Sequence, residues 1–168
     1  ESRCCNLLGC LHFIEGNYHQ AEKFFLYGKN NLDSVHQITT LWPILVNFAS
    51  LSLKIGNFEQ AQELLNDCVK IFVKHYRNRV NNFLFKEPKF PKIFVSILTV
   101  YEGLLKIQYF SEDYRLCTGA KSNITLLEET FQTSQFQDYY DALNKKQPLN
   151  ELLKETPFVH KGFIIIKT

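Results

Sequence analysis

An all-α fold of stacked helical hairpins, closed by a short irregular or extended C-terminal segment, is what this sequence predicts. Three observations predict it. Gly16-Asn17-Tyr18-His19-Gln20-Ala21-Glu22-Lys23-Phe24-Phe25 recurs 40 residues later as Gly56-Asn57-Phe58-Glu59-Gln60-Ala61-Gln62-Glu63-Leu64-Leu65, and self-similarity at such a period marks repeat architectures. Seven Gly and five Pro in 168 residues are few for an all-β chain with its many tight turns. Apolar residues return at helical spacing over long stretches, as at Ile93, Phe94, Ile97, Leu98, Tyr101, Leu104 and Leu105.

Each copy of the pattern reads as helix, tight turn, helix. Gly16 and Gly56 end the preceding helix, where a left-handed conformation costs glycine little. Asn17 and Asn57 are expected to cap the next helix, with Gln20 and Gln60 three residues on in a capping-box arrangement. Tyr18 and Phe58 are expected to fill the notch between the two helices. Ala21 and Ala61 mark the closest approach of the pair, where a larger side chain would push the helices apart. The copies fall near 2–33 and 36–80.

A degenerate third copy is expected at 93–129, after an insertion near 81–92 marked by Pro88 and Pro91. In it the Gly is missing, Ser111 stands as cap, Tyr114 as notch aromatic, and Cys117 takes the place of Ala21 and Ala61. Residues 130–168 no longer repeat. Short helices are expected over 136–144 and 148–155, and 156–166 reads as an extended apolar segment, expected to lie along a helical surface or to be the stump of a larger domain.

These residues resemble the tetratricopeptide repeat (TPR) superfamily. The first copy carries the resemblance through Leu8-Gly9, Phe13, Gly16, Tyr18, Ala21, Phe25 and Gly28, the second through Phe48-Ala49, Leu53, Gly56, Phe58, Ala61, Leu65 and Cys68. The period of 40 exceeds the usual ~34, so elongated helices are expected. The resemblance implies that first helices line a concave groove for peptide segments or neighbouring subunits. Carried over residue by residue, the groove wall is Asn6, Cys10, Phe13, Asn47, Ser50, Lys54, Lys106 and Tyr109. Chaperone-binding relatives clamp a terminal carboxylate with Lys, Arg and Asn. Here only Asn47 falls on a clamp position, while Cys10, Thr99 and Gly103 occupy others, which disfavours that ligand.

Charge is unevenly spread. Lys70, Lys74, Arg77, Arg79, Lys86, Lys89 and Lys92 face only Glu87 within 70–92, a local +6, whereas the rest of the chain nets −4. With Phe72, Tyr76, Phe83, Phe85 and Phe90 interleaved, this stretch is open to two readings, a footprint for nucleic acid or an acidic peptide, or a solvated helix end whose cations suit its dipole.

No catalytic motif, metal-ligand spacing or cofactor loop is present, and the five His are dispersed. Five scattered Cys predict reduced thiols and an intracellular setting, cytoplasmic or nuclear. No apolar run approaches the ~20 residues of a membrane span. The expected role is a non-catalytic protein-protein interaction scaffold or adaptor, part of a larger subunit, with self-association through the array ends open. Nucleic-acid association through 70–92 and a regulatory domain of a larger enzyme are the alternatives.

Overall fold

The computed structural model describes residues 1–31, 37–80, 91–131, 159–160 and 163–164, with side-chain surroundings over 1–31, 41–74 and 97–131. Six helices follow one another: α1 (Ser2–Ile14), α2 (Tyr18–Asn30), α3 (Gln37–Lys54), α4 (Phe58–Val80), α5 (Pro91–Phe110) and α6 (Tyr114–Phe131). Two short strands, β1 (Val159–His160) and β2 (Phe163–Ile164), pair antiparallel in the register Val159 with Ile164 and His160 with Phe163. The segment expected to be simply extended therefore doubles back on itself.

Three-residue turns join α1 to α2, α3 to α4 and α5 to α6, so each pair is an antiparallel hairpin. Within the stack, α3 packs on α1 and α5, while α4 packs on α6. First helices thus form one layer and second helices the other. Between Gly16 and Gly56 lie α2 (13 residues) and α3 (18 residues), so the helix that lengthens this period is α3, while α4 (23 residues) is longer still than α1 and α2 at 13 each. Elongation is confined to the second and third hairpins, α5 having 20 residues and α6 having 18.

Both predicted turns form in the same way. Gly16 (φ +79°) and Gly56 (φ +80°) adopt the left-handed conformation. The Asn17 amide donates to the His12 carbonyl at 2.8 Å and Gly16 to Phe13 at 3.1 Å, and Asn57 to Ser52 at 2.8 Å and Gly56 to Leu53 at 3.2 Å. This is the Schellman closure, and it satisfies carbonyls that the helix end would otherwise leave open.

The caps differ. Asn57 Oδ1 accepts from the Gln60 amide at 3.2 Å as expected, but the Gln60 side chain accepts from Ser52 Oγ at 2.8 Å instead of completing a capping box. Asn17 makes no side-chain cap, because its Nδ2 donates to Glu15 Oε2 at 3.3 Å. The second copy has Ile55 at the position of Glu15, which offers no such acceptor.

Between the layers the core is continuous. Ala21 and Ala61 are fully buried. Phe25 meets Phe48 at 6.0 Å between ring centroids, and Trp42 meets Phe72 at 5.8 Å. Tyr18 packs beside Phe13 at 5.8 Å, and Phe58 lies against the core, as notch aromatics. On α6, Ala120, Ile124, Leu127 and Phe131 form the inward stripe. Each large apolar side chain so buried contributes about 1.5–3 kcal/mol, before chain entropy is counted against it.

The third turn departs from expectation. Tyr114 is 82% exposed and fills no notch. Asp113, not Ser111, is the cap: its Oδ1 accepts from the Arg115 amide at 2.7 Å, while Ser111 Oγ accepts from the Asp113 amide at 3.2 Å. This turn has no glycine, and its Asp113 amide bonds to Ser111 Oγ where the Asn17 and Asn57 amides reach back to the His12 and Ser52 carbonyls, so the Schellman closure is missing and the aromatic is not folded inward. Cys117 keeps its register, donating its amide to Asp113 as Ala21 and Ala61 do to Asn17 and Asn57. Residues 136–144 and 148–155 lie outside the described residues.

Candidate partner groove

The layer of first helices brings the carried-over positions of α1, α3 and α5 side by side, but it does not leave them all open. Asn6, Cys10, Asn47 and Ser50 are buried, with Asn47 wholly inaccessible. Asn47 Nδ2 donates to Asn6 Oδ1 at 2.8 Å and lies 3.4 Å from Cys10 Sγ, so α1 and α3 are tied through polar side chains. These four residues do not form an open groove wall in this structure. Burial pushes the Cys10 thiol up to about 12 from an ordinary value of 9.0, because the low-dielectric interior disfavours the thiolate.

Other positions stand nearer the surface. Phe13 is partly buried against the core, Lys54 is exposed, and Tyr109 is 42% exposed. Lys106 Nζ sits 2.9 Å from Glu102 Oε1, a pair one helical turn apart on α5. Glu102 is buried and was not among the sequence-predicted residues. Its signal was present as a Glu four residues before a Lys on one helix.

Of the basic segment, Lys70 is exposed and paired with Asp67 at 3.0 Å, and Lys74 is exposed. Arg77 and Arg79 fall on α4, and Lys92 on α5, where side chains are not described, and Lys86 and Lys89 lie outside the described residues. On the outer side of α1, Leu7, Leu11 and Ile14 are exposed, a stripe at one end of the stack.

Sequence reasoning missed an acidic cleft of about 270 Å³ between α4 and the start of α6, lined by Glu59, Glu63, Asn66, Asp113 and Arg115. A hydrogen bond from the Arg115 guanidinium holds the Asp113 carboxyl below its usual range. Asn123 lies inside α6, and its Nδ2 donates to Asn66 Oδ1 at 2.5 Å. Cys4 is exposed, Cys5 and Cys10 are buried, and His12 stacks on Phe24 at 5.3 Å, so these four residues of α1 face several ways. Among the described residues, no three His, Cys, Asp or Glu gather as a metal site, and no helix is long and apolar enough to cross a membrane.

Residues 2–26 and 43–72 match the family model described as tetratricopeptide repeat. The chain carries TPR-like helical repeats. The two matched stretches are those built on the Gly16 and Gly56 turns, while the α5–α6 hairpin lies beyond them. TPR repeats generally mediate protein–protein interaction and are generally non-catalytic modules. No curated protein and no solved structure matches the chain.

Proposed function

We propose that this chain is a non-catalytic scaffold or adaptor, a TPR-like part of a larger subunit that holds a protein segment against its layer of first helices inside the cell. The observation that carries the reading is the registered stacking of α1, α3 and α5, two of whose turns are closed by the same left-handed glycine. A stack closed in this way presents side chains from successive hairpins at fixed separations, and binding then needs no covalent step. The accessible end of the layer, with Lys54, Lys106 and Tyr109, is the place for specificity; the hairpins behind it supply rigidity.

The test is capture of partners from nuclease-treated extract by the full chain, comparing wild type with Lys54→Glu/Tyr109→Ala. Loss of stoichiometric protein partners at unchanged thermal stability is the expected result. An unchanged partner set in the folded variant would remove this end of the layer from the reading.

A further inference from the structure

Leu7, Leu11 and Ile14 lie on one stripe of α1 and are 42%, 47% and 71% exposed, with Cys4 exposed one turn before them. At ~3.6 residues per turn this stripe is on the side of α1 opposite Gly9, whose close approach to the Phe25 ring marks the side that α2 occupies. Strand β2 packs on α1 as well, and the stripe is exposed with it in place.

The second copy of the repeat shows what this side of a first helix does. Forty residues on, Cys4, Leu7, Leu8 and Leu11 correspond to Ile44, Asn47, Phe48 and Leu51 of α3, all buried. Three of those meet the first hairpin: a Cβ at Gly28 would stand 3.3 Å from Ile44 Cδ1, Asn47 bonds to Asn6, and Phe48 packs on Phe25. The stripe of α1 is thus the side by which a first helix receives other helices in this fold. At its end the copies diverge, since Lys54 suits water and its counterpart Ile14 does not. Large apolar side chains gathered on one exposed face mark an interaction surface.

The order of residues along the stripe points to what covers it, because it reads alike in both directions about position 9. Leu7 mirrors Leu11, Cys4 mirrors Ile14, and the exposed Arg3 mirrors Glu15, whose side chain is 60% exposed. A second α1 laid antiparallel on the first sets apolar residues against apolar ones and each charge against its opposite, twice over, as a two-fold contact requires. Laid parallel, it would set Arg3 on Arg3 and Glu15 on Glu15.

We propose that the chain forms a two-fold dimer in which α1 packs antiparallel on α1 of a second copy, Leu7 over Leu11. The dimer does not require the docking of a partner segment at Lys54, Lys106 and Tyr109, and either can fail without the other.

Sedimentation velocity of the full chain, followed over a hundredfold range of concentration, is expected to show a dimer that Leu7→Glu/Leu11→Glu returns to monomer at unchanged helical circular dichroism. A wild-type chain that stays monomeric at every concentration, or a folded variant that keeps the dimer, would overturn the proposal. Should that variant unfold, Ile14→Lys, which places at 14 the residue type of position 54, is expected to weaken the dimer at least tenfold; unchanged association would sink the idea equally. The register is read by disulfide formation in a Cys4→Ser background. Leu7→Cys chains mixed with Leu11→Cys chains are expected to cross-link at least tenfold faster than either alone, and equal rates in the three samples would rule out the antiparallel arrangement.

Discussion

Asn47 Nδ2 donates to Asn6 Oδ1 at 2.8 Å across the buried contact between α1 and α3, joining residues 41 positions apart in sequence. The bond aligns the first helices of two successive repeats, and in a dry contact its removal costs more than its formation contributes. Asn47→Ala is therefore expected to destabilise the chain by about 1–3 kcal/mol, measured by urea denaturation. Asn6→Leu/Asn47→Leu should lose less than the two single variants added together, the sign of coupling between them.

The glycines separate backbone conformation from crowding. A Cβ at Gly16 or Gly56 meets nothing within 4 Å, so Gly16→Ala and Gly56→Ala should cost only the left-handed penalty, about 1–2 kcal/mol each. A Cβ at Gly9 would stand 2.5 Å from the Phe25 ring. Gly9→Ala should cost about 1–3 kcal/mol by overpacking, and Gly9→Ala/Phe25→Leu should recover part of it. Thermal unfolding of the variants checks both.

The two Asn caps should respond differently. Asn57→Ala removes an accepting cap and is expected to cost about 1 kcal/mol. Asn17→Ala removes none and should cost a few tenths at most. If Glu15→Ile raises the cost of Asn17→Ala, as denaturant midpoints would reveal, then Glu15 is what draws Asn17 away from the helix end.

The buried thiols set an alkaline limit. Cys10 is pushed up to about 12, and Cys68 is pushed up as well, chiefly by desolvation. Their folded values lie above the unfolded thiol value, so the stabilisation is fully present below the ordinary 9.0 and is lost as pH rises towards the raised values. Stability should fall between about pH 9 and 12, less steeply in Cys10→Ala. At pH 8 iodoacetamide should label Cys4 readily, and Cys10 and Cys68 only after unfolding.

Much of the repeat was legible because its signals are local. Gly16 and Gly56 must be glycine for a backbone reason that needs no neighbour, and Ala21 and Ala61 are small because the partner helix of the same hairpin lies against them. The groove was less legible. Asn6, Cys10, Asn47 and Ser50 were identified by register as wall residues, but register says which side of a helix a residue occupies and nothing about what covers that side. Asn17 and Tyr114 failed for a related reason: each has the residue type its position calls for, and each was redirected by a neighbour, Glu15 in one case and a turn without glycine in the other.

By itself, then, the sequence determined the helices, two of the turns and the stacking of hairpins, since periodicity, left-handed glycine and small residues act within one hairpin or between adjacent ones. Only the tertiary structure decided that Asn47 bonds to Asn6 and that Glu102 is buried beside Lys106. It alone showed residues 42–52 of α3 all buried. Those outcomes depend on segments far apart in the chain meeting in space, where packing and desolvation rather than local preference set which polar groups are enclosed.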